Sequence, residues 1–229
     1  MVVPCTLILL ALLQSEVPLT AGNAGPPLRY AVLGDSTAAG VGAAAEDGIA
    51  VLTARHLGLT HRVSMRNLGV SGARMRDVLE TQLGEAERLT PDLVLLSVGA
   101  NDVTHLTSIP AMRRRLSAIV GRLRAASPGV RIVVTGAPDM GSPPRVPWLL
   151  RGVATLRTRM VNRMFVAEAR RLHLVFAPIA ADTGPLFRRD RTLFADDRFH
   201  PNARGYAAWV TVLDDALARA LAMAAVSGR

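Results

Sequence analysis

Two short stretches hold residue types that together could make and break an acyl bond. One is Gly34-Asp35-Ser36, which leads into a run containing Gly40 and Gly42. The other is Asp196-Asp197-Arg198-Phe199-His200, followed by Pro201. A serine hydroxyl is a weak nucleophile unless a base takes its proton. His200 is the candidate base. Asp197, three residues earlier, can fix the imidazole tautomer and stabilise the imidazolium. Asp196 is adjacent and competes for that role. Ser36 has a second reading, because Asp and Ser also cap helices at strand-to-helix turns. His200 before a proline could equally be a turn histidine.

The elements around these stretches decide whether they can meet. After the break "GNAGPP" at 22–27, short apolar runs alternate with helical patterns. Strands are predicted at 28–34, 62–68, 92–99, 130–138 and 172–178. Helices are predicted at 47–58, 73–83, 110–126, 152–171 and 203–225, with a proline-rich loop at 141–148. This alternation predicts an α/β domain over 26–229, a three-layer α/β/α sandwich around a five-stranded parallel sheet. In such sheets ligands bind outside the carboxyl ends of the strands. Ser36, Gly72 and Asn101 each follow a predicted strand end.

Four blocks, in order, resemble those of the SGNH (GDSL-type) hydrolases, in a bacterial branch with lipase or esterase-like members. They are "GDS" (34–36), "NLGVSG" (67–72), "GAND" (99–102) and "DDRFH" (196–200). The resemblance covers about residues 29–222. It implies a flavodoxin-like sheet with strand order 2-1-3-4-5. It also implies that the backbone N–H of Ser36, the backbone N–H of Gly72 and the side-chain amide of Asn101 form an oxyanion hole. The expected activity is hydrolysis of a small-molecule carboxylic ester through an acyl-enzyme, with no cofactor. Acyl transfer and thioester cleavage would use the same residues. Members act on lipid, aryl and acetylated-sugar esters and on thioesters, so the fold does not choose the substrate. The stretch "APDMGSPPRVPWLL" (137–150) should border the site, with Met140 and Trp148 as substrate-binding candidates. These side chains could equally pack against the sheet edge.

Composition narrows the partners. The 229 residues are 50% hydrophobic, enough for one domain with a real core. The net charge is +9, and every basic residue is an arginine. The arginines are scattered and not interleaved with aromatics, so no nucleic acid is expected. An anionic membrane surface stays open as a partner, and a catalytically idle protein binding such a surface is the competing reading. The single cysteine, Cys5, excludes a disulfide within the chain, and no ligand cluster suggests a metal. His56, His61, His105 and His173 lack a motif, although His105 lies close to the site by sequence. Asp35 and Asp102 are expected to hold turns, as are Gly40 and Gly42. "TLILLALL" (6–13) with "AGNA" (21–24) reads as an export signal within residues 1–25. The alternative is a disordered start and a cytoplasmic protein. The sequence carries no signal for oligomeric state.

Overall fold

The computed structural model describes residues 19–21 and 25–223. Its strands are β1 Leu19–Ala21, β2 Pro27–Gly34, β3 Arg62–Asn67, β4 Leu93–Ser97, β5 Arg131–Val134 and β6 Val175–Phe176. Its α-helices are α1 Ser36–Ala39, α2 Ile49–Leu57, α3 Met75–Asp77, α4 Leu83–Leu89, α5 Ala100–Thr104, α6 Ile109–Ala126, α7 Trp148–Arg171, α8 Ile179–Asp182, α9 Gly184–Arg189 and α10 Ala203–Ala222.

The sheet order is β1-β3-β2-β4-β5-β6. From β2 onward all neighbours are parallel, which is the order 2-1-3-4-5 expected for five strands. The sixth strand, β1, runs antiparallel to β3 with Thr20 opposite Ser64. Three residues are too few to show an alternating pattern, so β1 was not legible. The apolar run at 6–13 and residues 22–24 lie outside the described residues.

β4 shows why the sheet is sandwiched. Leu93 to Ser97 are all buried, so both faces of the strand need a cover. Successive side chains point to opposite faces. Val94 and Leu96 join Leu33 and Val134 in a core closed by Leu116 of α6 and Phe165 of α7. Leu93 and Leu95 join Tyr30 and Val32 in a second core, closed by Ile49 of α2 and Leu213 of α10.

Several boundaries differ from the sequence pattern; the strand expected at 130–138, for one, ends at Val134. The helix expected at 73–83 is α3, a π turn over Val78–Gln82, and α4, which runs on to Leu89. The helix expected from 152 begins at Trp148, with extended Pro147 as its cap. The strand expected at 172–178 shrinks to Val175–Phe176. Leu172 still closes α7 through a bond to the Glu168 carbonyl, and His173 takes a left-handed φ of 52°.

Candidate active site

β2 ends at Gly34 and α1 starts at Ser36, so Ser36 stands at the carboxyl end of a central strand. Asp35 caps α1. Its Oδ1 accepts from the Thr37 N–H at 2.9 Å and from the Thr37 hydroxyl at 2.8 Å. Thr37 Oγ1 also lies 2.8 Å from Ser97 Oγ on β4. Behind the turn, Gln82 pairs with the backbone of Gly34. Its Oε1 accepts from the Gly34 N–H at 2.9 Å, and its amide donates to the Gly34 carbonyl at 2.8 Å. Gln82 is buried and belongs to the π turn. Sequence reasoning missed it, because a glutamine in a helical pattern reads as solvent-facing. π turns do, however, recur at functional sites.

The last block reaches Ser36 from a distant part of the chain. His200 Nε2 lies 2.9 Å from Ser36 Oγ, and His200 Nδ1 lies 2.5 Å from Asp197 Oδ2. Asp197 Oδ1 accepts from the backbone N–H groups of Phe199 and His200 at 2.9 and 3.0 Å. Burial works to raise the Asp197 carboxyl. The bonds from the His200 ring and from these backbone groups outweigh it and hold the carboxyl below its ordinary value. Asp196 is exposed and forms no hydrogen bond or ion pair among the described residues. Of the two neighbouring aspartates, Asp197 is therefore the one on the histidine. The turn is tied by the Ala195 N–H to the His200 carbonyl at 2.8 Å, and Asn202 then caps α10. Gly42 lies against this turn with φ 101°. A Cβ there would come within 2.4 Å of the Pro201 carbonyl oxygen and 2.9 Å of His200 Cβ, so only glycine fits.

The remaining blocks are stitched to the same place. Asn67 donates to the Ala38 carbonyl at 2.9 Å, and the Val70 N–H to the Gly34 carbonyl at 3.1 Å. The Asn101 amide donates to the Ala73 carbonyl at 3.1 Å. Buried Asp102 accepts from the Met75 N–H at 2.9 Å. Asp35 and Asp102 thus hold turns, as expected from sequence. Gly72 is exposed with φ 84°. The N–H groups of Ser36 and Gly72 have no partner among the described residues. The Asn101 amide keeps a second hydrogen to give. His105 is exposed and bonds the Asn101 carbonyl at 2.8 Å.

A cavity of about 30 Å³ adjoins Ser36 and His200. Met140, Phe187, Phe199 and Trp209 line it. Met140, a substrate-binding candidate, is thus among its lining residues. Trp148 does not line this cavity. It occupies the first position of α7 and is 76% exposed. Phe187 was missed because the sequence pattern assigns no element to the six residues of α9. Trp209 comes from α10. No group of three or more His, Cys, Asp and Glu side chains is placed to hold a metal among the described residues.

Burial pushes the Asp35 carboxyl up to about 6, against the hydrogen bonds from Thr37 and the field of His200. An unfolded aspartate titrates near about 3.9. The folded chain therefore holds this proton more tightly. That contribution to stability is full below about pH 4 and is lost as pH rises through about 6. Asp35→Asn keeps an acceptor for Thr37 and removes the titration. In urea melts the variant should be more stable than the parent at pH 7 by on the order of 2 kcal/mol, with the gap closing by pH 4. A gap that does not change with pH contradicts this.

The profile of the GDSL-like lipase/acylhydrolase family matches residues 32–208. A GDSL-like esterase of Mycobacterium tuberculosis H37Rv, Rv1075c, is 33% identical over 199 residues, or 83% of this chain. Those residues make up 62% of that relative, so the chain spans less than two thirds of its length. The crystal structure of TesA superposes with a TM-score of 0.68 at 18% identity, covering 82% of this chain and 97% of that one. Phospholipase A1 from Streptomyces albidoflavus NA297 gives 0.62 at 20% identity, covering 82% and 98%. At these identities the two structures share the fold.

Proposed function

Because the chain belongs to the GDSL-like lipase/acylhydrolase family, we propose that it is a carboxylic ester hydrolase working through Ser36, His200 and Asp197. The observation that carries this reading is the unbroken hydrogen-bond chain from Ser36 Oγ through the His200 ring to Asp197.

Ser36 Oγ attacks the ester carbonyl as its proton passes to His200 Nε2. The carbonyl oxygen takes the negative charge. It accepts from the N–H groups of Ser36 and Gly72 and from the Asn101 amide, each such donor being worth about a hundredfold to a thousandfold in rate. Asp197 stabilises the imidazolium that has formed. The intermediate collapses, and His200 gives its proton to the departing alcohol. Water then attacks the acyl-enzyme, with His200 again taking the proton, and releases the acid and free Ser36.

The cavity beside Ser36 supports a small acyl group. One water needs roughly 10–15 Å³ of such space, so about 30 Å³ holds a group of one or two carbons. Phenylalanine, methionine and tryptophan side chains line it. On p-nitrophenyl esters from acetate to decanoate, kcat/KM should be highest for acetate and propionate. It should fall at least about tenfold by octanoate, since the excess methylenes find no room in the cavity. A profile rising with chain length would overturn the small-acyl reading. No turnover on any ester would overturn the hydrolase reading.

A further inference from the structure

The first half of α7 carries an apolar stripe that the fold leaves bare. Leu149, Val153, Leu156 and Met160 are all exposed and recur at the spacing of one helix face. Trp148 and Leu150, also exposed, flank its start. Alongside the stripe, Arg159, Arg163 and Arg170 are exposed and have no ion-pair or hydrogen-bond partner through their side chains among the described residues. With Arg188 they line a groove of about 760 Å³.

This face adjoins the catalytic cleft. A second groove, of about 460 Å³, is lined by Leu156, Arg159, Arg191 and Ser142. Ser142 also lines the cavity at Ser36 and His200. α7 begins beyond the carboxyl end of β5, the end of the sheet where Ser36 stands. Exposed Val70 and Leu106 follow β3 and β4 at that same end.

An exposed leucine-rich stripe bordered by arginines, with a tryptophan at its head, has the makeup of a helix that lies in a lipid interface. No described helix is long and apolar enough to cross a membrane. We propose that this face docks on an anionic phospholipid surface. The α7 stripe enters the headgroup boundary and the arginines meet the lipid phosphates. An anionic bilayer fits because it complements both features at once, apolar against the stripe and negative against the unpaired guanidinium groups. Each arginine held near such a surface contributes about fivefold to partitioning. The docked protein would present its cleft to esters held at the surface, with the small acyl group entering the cavity. That purpose rests on the ester-hydrolase reading, whereas the docking itself does not need Ser36.

The test is co-sedimentation of the full chain, carrying Ser36→Ala, with phosphatidylcholine vesicles with or without 30 mol% phosphatidylglycerol. Partitioning to the anionic vesicles should be at least tenfold stronger and should weaken as salt rises. Leu149→Asp with Leu156→Asp, and separately Arg159→Glu with Arg163→Glu, should each lose at least tenfold. The same exposed-site variants with Ser36 intact should hydrolyse soluble p-nitrophenyl acetate within twofold of the parent, which shows that they fold. Equal binding to both vesicle types overturns the proposal, as does full binding by either double variant. Self-association through α7 without vesicle binding overturns it too. If no variant hydrolyses the ester but vesicle binding follows the expected pattern, the hydrolase reading fails and the docking stands.

Discussion

Ser36→Ala should lower ester hydrolysis by on the order of 10⁴-fold or more and leave the fold intact. Ser36 is only 6% exposed, but the change removes one oxygen and fills no space. The turn that holds it is built by other groups. Asp35 caps α1, Gln82 pairs with Gly34, and Thr37 bonds Ser97. The proposed oxyanion donors also survive, because the N–H at position 36 belongs to the backbone. Far-ultraviolet circular dichroism and the Tm should therefore match the parent while turnover of p-nitrophenyl acetate collapses. His200→Ala should cost about as much, and the double variant little more, because the two side chains act as one unit. A Ser36→Ala protein retaining more than about a hundredth of the parent rate would contradict the account.

The second large effect belongs to Asp197→Asn. The side chain keeps its shape and can still accept from the Phe199 and His200 N–H groups through one oxygen. What changes is the atom facing His200 Nδ1. A carboxylate oxygen there accepts a hydrogen bond from Nδ1–H and holds the tautomer whose Nε2 is free to take the serine proton. An amide nitrogen there donates, favours the wrong tautomer and removes the charge that stabilises the imidazolium. The expected loss in kcat is on the order of 10⁴-fold. Asp196→Asn is the internal control. Its exposed side chain engages none of the described residues, so the rate should stay within about twofold. Comparable losses in the two variants would show that the rate depends on the charge of the turn and not on contact with the imidazole.

The parts of the site that lie within short contiguous blocks were legible. Ser36, Gly72, Asn101 and His200 each follow a strand end or precede the last helix; a hydrogen bond joins His200 to Ser36, and the Asn101 amide reaches the carbonyl of Ala73, next to Gly72. The parallel sheet was legible for a similar reason, since β4 is apolar on both faces and shows it in four consecutive residues, Leu93 to Leu96.

What was not legible depends on contacts between distant residues. Gln82 turns inward only because the helix loosens into a π turn, and a 3.6-residue period carries no sign of that. Gly42 read as a turn residue, yet its necessity comes from Pro201 and His200, about 160 positions later. Trp148 looked like pocket lining because it follows the fourth predicted strand. α7 instead starts there, four residues early, and carries the ring outward. β1 pairs with β3 through only three residues, below the length at which alternation shows.

The central claim is that Ser36 is the nucleophile, activated by His200. The most direct measurement is labelling with a fluorophosphonate, followed by intact mass and peptide mapping, with residual esterase activity read on the same samples. The account predicts one adduct per chain, on Ser36, with activity falling in proportion to label, and labelling slowed in Asp197→Asn. Activity that survives complete modification of Ser36, or inactivation by an adduct on another residue, would contradict it.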